Sequence, residues 1–85
     1  MDATDRYVVK VALQTLEAAG GTGVKKKALL QQMEMAAGAP VTTEQLEAAF
    51  EELKRRGWMD FHWEPVWHDQ RWTLTERGLT ALEGM

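Results

Sequence analysis

The side chains best suited to chemistry lie close together: Asp60, His62, His68 and Asp69 flank a Glu64-Pro65 reversal, interleaved with Trp58, Trp63, Trp67 and Trp72. Imidazoles and carboxylates are donors that a divalent metal accepts. Structural zinc sites, however, bring ligands in tighter pairs and with thiolates, and this chain has no cysteine. The two histidines and two aspartates are therefore read as solvated residues of a hairpin, and neither metal nor cofactor is expected. Acid or base work by either histidine needs an activated nucleophile beside it. The chain contains no serine as well as no cysteine, so the usual hydroxyl and thiol nucleophiles are missing and no enzymatic activity is expected.

Two other groups of residues suggest binding. Lys25-Lys26-Lys27 stands where a helix begins. It reads either as a solvated cluster or as a phosphate contact, because lysines and the free amides of a helix start both point at an anion. The chain as a whole gives this little help: ten basic against thirteen acidic residues leave a formal net charge of -3, so attraction to nucleic acid has to come from a local patch. The second group is acidic and aromatic. Glu44, Glu47, Glu51 and Glu52 share the outward side of a predicted helix with Arg55, in the favourable four-residue pairings Glu51 to Arg55 and Glu52 to Arg56. Four tryptophans then follow in one short stretch, more than one small sheet face hides easily. Either Trp63 and Trp72 fill the core while the others lie flat across the hairpin, or Trp67 and a neighbour such as Trp63 anchor a protein partner.

The elements that position these residues follow from spacing. Val9, Ala12, Leu13 and Leu16 predict a helix over 5–19, closed by Gly20-Gly21. Tyr7, Val11 and Ala18 fall on its other side, so this helix is apolar nearly all round and needs cover from a C-terminal helix or from a second copy in a homodimer. Gly21 to Val24 suits one extended segment pairing with the edge of a hairpin. A second helix runs from Lys25 to Ala37 on Leu29, Leu30, Met33 and Ala36, with Gly38 as its stop. Thr42 and Gln45 form a capping box for a third helix, with Val41 placed to staple onto Leu46 and a core stripe of Leu46, Ala49, Phe50 and Leu53. Gly57 ends that helix. Alternation predicts a strand from Trp58 to Trp63 with Met59, Phe61 and Trp63 toward the core, and a return strand whose Trp72 and Leu74 share that side. Thr75 then caps a closing helix, Glu76 to Glu83, carrying Leu79 and Leu82 inward.

The predicted fold is α+β: three helices, a β-hairpin and a short C-terminal helix, in one domain of 85 residues whose packing alone must hold it. No apolar run approaches the roughly 20 residues of a membrane span and the start is acidic, so a cytoplasmic protein without membrane contact is expected.

The order of elements, together with Leu53-Lys54-Arg55-Arg56-Gly57-Trp58-Met59 and Arg71-Trp72-Thr73-Leu74-Thr75-Glu76-Arg77-Gly78, resembles winged helix-turn-helix domains of MarR- and PadR-type regulators. The resemblance covers nearly the whole chain. It implies a recognition helix over 43–56, a wing tip over 64–70, and a transcription-regulating protein that binds double-stranded DNA. On that reading Lys25, Lys26, Lys27 and Arg71 contact phosphates while Thr43 and Gln45 enter the major groove. This chain departs from the pattern by offering Glu44 and Glu47 where such helices usually carry cations or amides. The alternative is a winged-helix module that binds a protein instead, through Glu44, Glu47, Glu51, Trp63 and Trp67.

Overall fold

The computed structural model describes residues 3–38, 41–66 and 68–85, and within them the expected α+β layout is the one observed. Helix α1 spans Ala3–Ala19, α2 Lys26–Ala37 and α3 Thr43–Arg55. Strands β1 (Met59–Glu64) and β2 (Asp69–Leu74) form an antiparallel hairpin, and α4 (Glu76–Glu83) closes the chain.

Local signals set most of these boundaries. The capping box at α3 is complete: Gln45 N donates to Thr42 Oγ1 at 3.1 Å and Thr42 N to Gln45 Oε1 at 3.0 Å, so two amides that a helix start leaves without partners are satisfied. Gly38 and Gly57 take the left-handed backbone, at φ +66° and +73°, where a side chain would be strained. Gly20 to Thr22 makes a short 3-10 turn, so the extended segment expected from Gly21 shortens to Val24. Val24 exchanges two 2.8 Å backbone hydrogen bonds with Trp72, which makes β2 the middle of three paired stretches.

The core is built from three helical stripes and the base of the hairpin. Val8, Val9, Ala12, Leu13 and Leu16 of α1 meet Leu29 and Met33 of α2, Leu46, Phe50 and Leu53 of α3, and Met59 of β1. Phe50, 1% exposed, meets the edge of the half-buried Trp72 at 5.1 Å between ring centres. Helix α4 packs on α1 with Ala81 and Leu82 partly buried, the expected cover for part of α1, while Tyr7 stays exposed.

Two core assignments need correction. Met59, Phe61 and Trp63 do share a face, opposite Leu74, Trp72 and Gln70, yet only Met59 is buried; Phe61 and Trp63 are each 48% exposed. At about 3.3 Å per residue the strands outrun the helices beneath them, so the face continues into solvent. Leu79 is also exposed, because Gly78 rather than Leu79 presses inward against the Trp58 backbone.

Thr75 joins the hairpin to the closing helix. Its hydroxyl accepts from Gly78 N at 3.0 Å and donates to Gly57 O at 2.6 Å, and its own N donates to Trp58 O at 3.2 Å. One residue thus caps α4 and fixes it to the turn that ends α3.

Candidate functional site

Helix α3 and the hairpin carry most of the residues predicted to bind. At the start of α3, Thr43, Glu44 and Gln45 are exposed. Reading adenine takes both the oxygen and the amide nitrogen of a glutamine, and Gln45 Oε1 already accepts from Thr42 N. Base contact by Gln45 therefore competes with the Thr42 N half of the capping box, while the bond from Gln45 N to Thr42 Oγ1 stays in place.

Three of the four cations assigned to phosphates have carboxylate partners. Lys25 Nζ lies 3.2 Å and Arg71 Nε 3.4 Å from the same oxygen, Asp69 Oδ2, while Lys26 Nζ sits 2.8 Å from Glu47 Oε2 and 4.9 Å from the centre of the Phe50 ring. Lys27 is exposed, with no such partner among the described residues. Partial burial works to raise the Asp69 carboxyl, but hydrogen bonds and attraction from Lys25 and then Arg71 outweigh it and hold the group below the usual carboxylate range.

The outward side of α3 pairs with itself: the expected Glu52 to Arg56 pair is present, and the expected Glu51 to Arg55 pair is replaced. Glu51 binds Lys54 at 3.3 Å instead of Arg55, and Glu52 takes both Arg55 and Arg56. Hydrogen bonds from Arg55 and then Arg56 pull the Glu52 carboxyl below its ordinary value. Glu44, Glu47 and Glu51 remain on the solvent side of the helix, so the acidic character expected there is present.

Beside this helix the hairpin face is apolar. Phe61 meets Trp72 edge-on at 5.7 Å, and Lys54 Nζ lies 5.5 Å from the Trp72 ring, so one continuous surface runs from Glu51 across Lys54 and Trp72 to Phe61. Trp63 continues it toward His68, whose ring centre is 6.5 Å away. Trp67, the other aromatic proposed for an interface, lies outside the described residues. His62 Nε2 faces Glu64 at 3.4 Å, and no group of three metal-ligating side chains occurs among the described residues.

Among the grooves beside α3, two bring cations together with apolar side chains from other elements. One of about 630 Å³ between α2 and α3 mixes Lys26 and Lys27 with Glu34 and Glu47 around Leu30 and Leu46. The other, about 540 Å³, holds Arg6, Lys10 and Arg56 with Tyr7 and Trp58, at the opposite end of α3 from the capping box. The pairings Lys26 to Glu47 and Lys25 to Asp69 escaped sequence reasoning, since they join residues far apart in the chain. The exposure of Phe61 had a sequence signal: a strand face richer in aromatics than a small core can hold.

No helix among the described residues is long and apolar enough to cross a membrane. No family model matches the chain, and no curated protein or solved structure matches it either.

Proposed function

We propose that the chain is a winged-helix protein-interaction module, in which the hairpin face and the acidic side of α3 dock a partner protein carrying apolar anchors and basic residues. The observation that carries this reading is the pair Phe61 and Trp63, each 48% exposed on a face continuous with α3. Exposed aromatics grouped beside charge are what interfaces are built around. The flanking charge is negative: Glu44, Glu47 and Glu51 suit a basic partner.

Duplex DNA is the second reading, supported by the resemblance to MarR- and PadR-type regulators and by the exposed Lys27 at the start of α2. Against it, Lys25 and Arg71 share the single charge of Asp69 and Lys26 pairs with Glu47, so two carboxylates offset half of the four cations and would come close to the phosphates.

Fluorescence anisotropy with a labelled random duplex separates the two. The interaction reading expects no binding at micromolar protein in about 50 mM salt; micromolar or tighter affinity that collapses by about 200 mM overturns it. In a parallel capture experiment, a partner retained by the wild type is lost by the double variants F61A/W63A and E44K/E47K and kept by R6Q/K10Q, which alters only the remote groove.

A further inference from the structure

We infer that the free edge of β1 is a rail for strand addition, onto which a basic, extended segment of a partner protein pairs by backbone hydrogen bonds; this rests on the interaction reading above and names how the partner is held. Trp72 spends both its N–H and its C=O on Val24, so it makes no backbone bond to Phe61 opposite it. Bonded and non-bonded pairs alternate in an antiparallel ladder. The bonded pairs are therefore Asp60 with Thr73, His62 with Arg71 and Glu64 with Asp69, and the bond from Thr75 N to Trp58 O continues the same alternation.

The amides and carbonyls of Met59, Phe61 and Trp63 consequently point away from β2. Among the described residues no backbone group pairs with that edge. One of these amides, Phe61 N, accepts a local substitute: it donates to the side chain of its neighbour, Asp60 Oδ1, at 2.9 Å. An exposed edge invites pairing with any strand, and an acidic side chain over its middle amide guards against that. Met59 is buried at the base of the hairpin, so the open stretch of the edge is Phe61 to Trp63, whose exposed side chains lie on one face and add contact for a strand that pairs here.

Charge selects the occupant. Asp60, His62 and Glu64 alternate along the opposite face of β1. In a symmetric antiparallel pair of two copies centred on His62, Asp60 of one copy lies opposite Glu64 of the other, and like charges directly across a ladder repel. A strand with lysine or arginine at alternate positions meets those carboxylates favourably instead. That register of two copies is disfavoured, and a basic strand is favoured.

The test uses the full chain labelled with ¹⁵N and a synthetic octapeptide of alternating lysine and valine with blocked ends. The amides of Phe61 and Trp63 are expected to shift on titration, with those of Asp60, His62 and Glu64 shifting less. Methylating the peptide's alternate amides on the pairing side should weaken binding about tenfold or more, as should E64K, whereas methylating the other side should not. Equal affinity for both methylated peptides, with shifts confined to the aromatic side chains, overturns the rail but leaves a face-binding module. Binding of an alternating glutamate and valine peptide as tight as that of the lysine peptide, or dimerisation of the wild type through these amides, overturns the choice of a basic partner. Absence of any shift on the hairpin overturns the rail; loss of partner capture by F61A/W63A in the earlier experiment then decides separately whether the face still binds.

Discussion

Replacing Gly78 with alanine sets two effects of opposite sign against each other. In a helix interior the change removes the entropic cost of glycine and stabilises by about 0.5 to 1 kcal/mol. At this position the new Cβ would stand 2.8 Å from Leu74 Cδ1 and 2.9 Å from Trp58 C, and closer still to Trp58 O. Two of those three atoms are backbone, which cannot swing away as a side chain can. The Trp58 carbonyl is also held in place, since it accepts from Thr75 N at 3.2 Å. Relief needs α4 to lift from the turn after α3, which costs about 1 to 3 kcal/mol for overpacking and about 1 kcal/mol for the strained hydrogen bond. The clash wins, and G78A is expected to lose about 1 to 3.5 kcal/mol. That is a large part of the roughly 4 to 13 kcal/mol available to a domain of this length. Urea unfolding should show a lower midpoint at an unchanged slope, with a melting temperature lower by about 6 to 20 °C. Gly84 is the control: a Cβ there meets nothing nearer than 3.6 Å, so G84A should be near neutral. A G78A protein as stable as the wild type, or more so, would refute the claim that α4 is pressed against the Trp58 backbone.

Two further outcomes follow from the packing and the ion pairs. Phe50→Ala should cost about 3 to 5 kcal/mol by chemical denaturation, as a 1% exposed aromatic in contact with Trp72 does; a loss under about 1 kcal/mol would mean the α3 stripe is not the core. Glu52 and Asp69 have folded pKa values below their unfolded ones, so the stability they contribute is fully present above the unfolded carboxylate range, about pH 4, and disappears as pH falls through the lower folded values. The melting temperature should be nearly flat between about pH 7 and 5 and fall below about 4, with a shallower acid limb in E52Q/D69N; an identical limb in that variant would assign the loss to other carboxylates.

Where one residue and its near neighbours decide the backbone, the sequence was legible. The Thr42 and Gln45 box, the Gly38 and Gly57 stops and the Thr75 cap are local, and each stands where spacing placed it. The glycine of Leu74-Thr75-Glu76-Arg77-Gly78 was visible as part of a resemblance, and its physical reason, contact with the Trp58 backbone, came only with the structure. Alternation gave the correct side for Phe61 and Trp63 but could not say how far the helices extend beneath the hairpin. The ion pairs of Lys25 with Asp69 and Lys26 with Glu47 depend on tertiary placement that no local pattern encodes. They offset half of the positive charge of what reads in the sequence as a basic patch.

The stitch between Val24 and Trp72 has a consequence for how the domain comes apart. It closes a loop over most of the chain, yet a lone hairpin is marginal in water and α4 is too short to persist by itself. Opening that latch alone frees one edge of β2 while Phe50 still holds Trp72 and the Gly57-Trp58 turn still holds Thr75, so the segment around Val24 can fray before the hairpin and its seat give way together.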